Sequence, residues 1–190
     1  MTLPRADDVL PREADLPGTG WVAIDEGFGA DAAGGPTPGE LVDCVGPDFP
    51  ADDEVAGTAA TPHYVHPPGR LVHGFGLVVV RSEAAARAAE ILSGQAFAQC
   101  LGHSVAADLD ASGSDAEMLA VDVERTGRGH RVRFTGGTGD GVRPVHLDVV
   151  CVRAGRAVGL LWFADTPDPF PAADLDSVLE RILGRSASGR

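Results

Sequence analysis

The side chains with which this chain could do chemistry are few: three cysteines, six histidines and a surplus of carboxylates. His63 and His66 stand close together, with His73 beyond them. Imidazole is the commonest protein ligand for transition metals, so the grouping first suggests a metal centre. The setting argues against one. The pair lies in a proline-rich stretch and not on a helix face, and no carboxylate follows at a recognisable ligand spacing. The expectation is exposed loop histidines, no metal and no cofactor. His103-Ser104 sets a base beside a nucleophile, but adjacent residues on a helix point in different directions and no Gly-x-Ser-x-Gly elbow occurs. Nucleophilic catalysis is not expected. The run Gly136-Gly137-Thr138-Gly139-Asp140-Gly141 shares only its glycines with a phosphate loop. It joins two expected strands with no helix start behind it and reads as a flexible turn.

Cys44 sits in a loop-like stretch, Cys100 on an expected helix and Cys151 at a core-facing strand position. Their chemistry leaves three readings open. A metal site would need further ligands, and no Cys-x-x-Cys is present. A thiol nucleophile would need a base and an orienting group that the sequence does not identify. A disulfide with one buried spare thiol is the third. Elsewhere, His146 and Asp148 share one face of a strand, beside Leu161 and Phe163 of its expected partner. These four mark the expected ligand groove; the alternative is a sheet face packed under a helix or loop. Trp162 is expected in the core, and Asp52-Asp53-Glu54 in a solvated loop.

The elements that must position these residues belong to one domain. Apolar residues make up 44% of the 190 and charged residues 23%, enough hydrophobic material for a single ordinary core. The net charge of −13, with arginine as the only cationic side chain, disfavours nucleic acid and anionic membrane surfaces as partners. No apolar stretch approaches the roughly 18 residues of a membrane span. Met1 is not followed by a charged and then apolar leader, which fits either a cytoplasmic protein or a chain that begins downstream of an export signal.

Residues 1–20 read as a lead-in with one helical turn, and Trp21 to Ile24 as a strand. Gly27 to Gly39 and Asp48 to Gly69 read as long loops. Leu71 to Val80 is apolar on both faces, which places it centrally in a sheet. Ser82 is expected to cap a helix running to Leu92, followed by a helical stretch from Gln95 to Leu109 whose Phe97, Leu101, Val105 and Leu109 face the sheet. Side-chain parity predicts a hairpin with Asp122 opposite Arg133 and Glu124 opposite Arg131. A second hairpin is expected to turn at Ala154-Gly155, setting His146 against Phe163, Asp148 against Leu161 and Cys151 against Val158. An amphipathic helix from Asp174 to Leu183 closes the domain, with 185–190 a frayed tail. The fold expected is α+β, a single domain (21–184) with an antiparallel sheet flanked by helices.

Asp43-Cys44, the strand Leu77 to Val80, the helix opening Ser82-Glu83-Ala84-Ala85-Ala86-Arg87-Ala88-Ala89, and Phe97-Ala98-Gln99-Cys100 together resemble the extracytoplasmic sensor domain of mycobacterial PknH-type serine/threonine kinases and related actinobacterial lipoproteins. The hairpin Val149 to Leu161 and the closing helix extend the likeness over roughly residues 40–184. The resemblance implies a Cys44–Cys100 disulfide, an extracytoplasmic location and a non-enzymatic role recognising a small molecule or a cell-envelope component. It departs at Cys151, because that kinase domain carries a second disulfide near its C-terminus. The competing classes are a cytoplasmic enzyme with a histidine-based site and a purely structural partner-binding protein.

Overall fold

The computed structural model describes residues 5–24, 45–67, 69–97, 99–100, 120–126, 129–138 and 141–188, of which 120–126, 129–138 and 141–145 are described by their backbone. Eight strands among them form one antiparallel sheet: β1 (Val22–Ile24), β2 (Val55–Ala60), β3 (His63–His66), β4 (Arg70–Val79), β5 (Ala120–Thr126), β6 (Gly129–Thr138), β7 (Gly141–Ala154) and β8 (Ala157–Asp165). Their spatial order is β1-β3-β4-β8-β7-β6-β5, with β2 also paired to β4. Helix α1 (Ser82–Leu92) packs on one face and α2 (Ala172–Ser188) on the other. The expected α+β class, an antiparallel sheet flanked by helices, is the class observed.

β4 is central because both of its faces are apolar. Leu77 and Val79 join Ala84, Ala85, Ala88 and Leu92 of α1 in one core cluster. Val72 and Val78 join Val178, Leu179 and Ile182 of α2 in the other. Phe97, in the helical residues that follow α1, is buried with the first cluster as expected, while Leu101, Val105 and Leu109 lie outside the described residues. Ser82 does not cap α1. It is the first helical residue, after Arg81 in extended conformation, and no side-chain cap bond forms.

The first hairpin has the expected register, Asp122 opposite Arg133 and Glu124 opposite Arg131. The second is shifted by two. It turns at Gly155-Arg156 between the paired Ala154 and Ala157, so Asp148 faces Phe163, His146 faces Asp165 and Cys151 faces Leu160. Gly155 has φ +61, the left-handed conformation that a tight hairpin takes at its first central residue and that glycine adopts without a Cβ clash. A shift of two changes partners and keeps faces.

Three expectations need larger correction. The stretch expected as a loop over 48–69 contains β2 and β3. β2 is a mostly exposed strand of small residues without alternation, and β3 is a short His-Tyr-Val-His run between Pro62 and Pro67, so neither carries a strong periodic signal. The lead-in is part of the core. Its 3-10 turns Ala6–Val9 and Glu13–Asp15 carry Val9, Leu10 and Leu16 into the cluster beneath α2. The tail is also structured, because α2 continues to Ser188, although Leu183 points outward at 43% exposure. Arg185 Nη1 donates to Asp15 Oδ2 at 2.5 Å and its Nη2 to the Leu10 carbonyl at 2.6 Å, while Ser186 Oγ donates to the Asp8 carbonyl at 2.6 Å.

Glycines on β4 and β8 make room for the N-terminal segment. A Cβ on Gly76 would lie 2.7 Å from the Ala6 carbonyl oxygen, and one on Gly159 2.7 Å from that of Val9. Backbone cannot swing away from such a contact as a side chain can. Gly76→Val is therefore expected to destabilise the domain by about 1–3 kcal/mol in urea unfolding. Gly57→Val, where a Cβ meets nothing within 4 Å, is expected to be near neutral.

Candidate functional site

On the α1 face, β3 and β4 bring His63 against His73. The two rings stack with centroids 4.3 Å apart and planes 7° from parallel. His63 is 9% exposed and His73 6%; His63 is thus a buried strand residue and not the solvated loop histidine expected, while His73 lies in the central strand where it was expected. Trp162 is the direct partner of His73 on β8, with ring centroids 5.6 Å apart. Thr61, just after β2, fixes the local geometry. Its N–H donates to the Gly74 carbonyl at 2.9 Å, and its Oγ1 accepts from the Gly74 N–H at 2.9 Å and lies 3.4 Å from His73 Nδ1. His73 Nε2 is buried with no hydrogen-bond partner among the described residues.

Burial, with the neighbouring His63 adding repulsion, pushes His73 down to about 4. Burial also holds His63 below its ordinary value. Both rings are thus neutral near pH 7. The stack does not chelate a metal, because a ligated ion lies near the plane of each imidazole and two parallel stacked rings share no such point. His66 cannot complete a triad. It turns to the opposite face, where its Nε2 donates to the Thr19 carbonyl at 3.1 Å and its ring lies 5.2 Å from that of Trp21. No group of three or more potential ligands occurs among the described residues.

His146, Asp148, Leu161 and Phe163 do come together, but as core. Leu161 and Phe163 are fully buried, Asp148 is 2% exposed and His146 8%. The N-terminal segment and α2 cover this face, with Phe170 against the Phe163 ring at 5.3 Å, so the expected groove is a packed layer. His146 Nε2 donates to the Pro167 carbonyl at 2.9 Å. The backbone register puts Arg131 across from Asp148 and Glu124 across from Arg131. At the end of this face Arg70 Nε donates to Asp165 Oδ2 at 2.8 Å, its Nη1 lies 3.6 Å from Asp174 Oδ2, and its guanidinium sits 5.6 Å over Phe170.

Other sites are less suited to chemistry. A recess of about 310 Å³ is lined by Arg5, Asp7, Ala56, Gly57, Val78 and Arg156, among others. Arg5 is paired with Asp7 at 3.0 Å and Arg156 donates to the Val80 carbonyl at 2.8 Å, so its cations are already engaged. Cys151 carries a free thiol that burial pushes up to about 12, which keeps it protonated and unreactive. Cys100 is half-buried and is not a free thiol. Gly136 to Thr138 pair with Gly141 to Arg143, so β6 and β7 extend into the stretch expected as a turn, and residues 139 and 140 lie outside the described residues. Cys44, His103 and Ser104 lie outside the described residues. No helix among the described residues is long and apolar enough to cross a membrane.

The stacked pair was legible in part. His63 and His73 stood out as residues, but the strand pairing that joins them was hidden because β3 was read as loop. Compared with models of protein families, with curated proteins and with solved structures, the chain matches none.

Proposed function

We propose that this chain is a non-enzymatic binding or sensing module of an extracytoplasmic compartment, recognising a small molecule or a cell-envelope component, in the manner of the sensor domains its sequence resembles. The observation that carries the reading is the state of its sulfurs. Cys100 is disulfide-bonded and Cys151 is free. The sequence resemblance assigns Cys44, which lies outside the described residues, as the partner of Cys100. Such a bond persists in oxidising compartments and is reduced in most cytoplasms. The imidazoles support the same reading, since His63, His73 and His146 are committed to core packing.

Fractionation of the source cells tests the location. The protein is expected in the envelope or secreted fraction with one thiol reactive to alkylation after denaturation without reductant. Recovery from the cytoplasm with three reactive thiols would overturn the reading and return the chain to the class of cytoplasmic proteins.

A further inference from the structure

We propose that the stacked His63–His73 pair is an acid-sensitive latch that holds the β1–β3 arm on the edge of the sheet. The arm is short. β1 pairs only with β3 among the described strands, and β3 is joined to β4 through Tyr64↔Val72, Val65↔Leu71 and His66↔Arg70. The stack continues this ladder by one further cross-strand contact, between two neutral aromatic rings buried beside Trp162. Protonation changes that contact from attractive to repulsive. It would set like charges on rings 4.3 Å apart in a site from which water is largely excluded.

Nothing among the described residues offsets that charge strongly. His73 faces Trp162 on β8, His63 on β3 and the Thr61 and Pro62 backbone, whose hydrogen bonds favour the charged form but less than burial opposes it. His63 is paired with Ile24 of β1, and burial holds it below its ordinary value. No carboxylate among the described residues acts on either ring.

The sign follows from comparing the closed and open arm. With the arm open, His73 titrates near the ordinary 6.5, and with it closed, at about 4. The open form therefore binds more protons between those values, so closure is fully favoured above about 6.5 and weakens as pH falls towards 4. Taken over that window, the opening equilibrium rises by roughly 300-fold for His73 alone. The latch itself stands on the histidine geometry; its use in sensing rests on the export reading, and the experiment below reads only the latch.

Hydrogen exchange on the full chain at pH 7.5 and 4.5, corrected for intrinsic rates, compares the amides of His63–His66 with those in the centre of β8. The arm is expected to lose at least tenfold more protection than β8 on acidification. The double variant His63→Phe, His73→Phe, which keeps two stacking rings and removes the titration, is expected to abolish the difference. Because that variant can fail to fold, carbon chemical shifts of the wild-type histidine rings give a second reading, with His73 expected to titrate well below 6. Arm and β8 losing protection in parallel, or His73 titrating near 6.5, would overturn the latch.

Discussion

Reduction of the protein, or Cys100→Ser, is expected to lower its stability by about 4 kcal/mol in urea unfolding. The number comes from the loop that a Cys44–Cys100 bridge closes, about 56 residues, whose freedom in the unfolded chain the bond removes. A loss of that size approaches the whole net stability of many domains, so the reduced chain is expected to melt far earlier than the oxidised one. The bond would also tie the stretch before Phe49 to the helical residues after α1, and Phe49 and Phe97 already share the core cluster on that face. Cys151→Ser serves as the control. Its thiol is free, so reductant should shift the stability of this variant by the same amount as that of the wild type.

Arg185→Ala is expected to destabilise the domain by about 3–5 kcal/mol, because it strands a buried carboxylate. The Arg185 and Asp15 side chains are only 13% and 10% exposed. One guanidinium also satisfies the Leu10 carbonyl, and the neighbouring Arg181 donates to the Asp15 carbonyl at 3.0 Å. Arg185→Lys should recover little of the loss, since an ammonium cannot reproduce the planar fork that reaches both acceptors. Truncation after Gly184 should cost at least as much as Arg185→Ala. The exposed pair Arg5–Asp7, at 75% and 49%, provides the contrast: Arg5→Ala is expected to cost well under about 1 kcal/mol.

Alternation and helical periodicity were enough to read the sheet's centre and its flanking helices. β4, α1, α2 and the register of the β5–β6 hairpin rest on strong local patterns: two apolar faces, an alanine-rich run, an apolar stripe at 175, 178, 179 and 182, and matched charges across a turn. What failed to show depends on contacts between residues distant in sequence. Residues 6–16 look like a proline-punctuated lead-in because their apolar positions follow no long period, yet Gly74, Gly76 and Gly159 form the surface that receives them. Arg185 looks like a tail residue because its partners lie some 170 positions earlier.

The candidate site shows the same division. Parity correctly put His146, Asp148, Leu161 and Phe163 on one face, and a two-residue register shift did not disturb that. A mixed polar and apolar face reads equally well as a groove or as a core with a buried carboxylate, and only the covering segments distinguish them. They are the N-terminal turns and α2, the first of which sequence patterning had placed outside the domain. The His63–His73 stack required the pairing of β3, a four-residue strand whose tyrosine anchors it in the opposite core cluster.

The central claim is tested most directly by peptide mapping of the unreduced protein from its own source, digested under conditions that block thiol exchange. A single cross-linked species joining the peptides of Cys44 and Cys100, with Cys151 alkylated only after unfolding, is the predicted result. Recovery of Cys44 and Cys100 as separately alkylated thiols, or a link from either to Cys151, would contradict it.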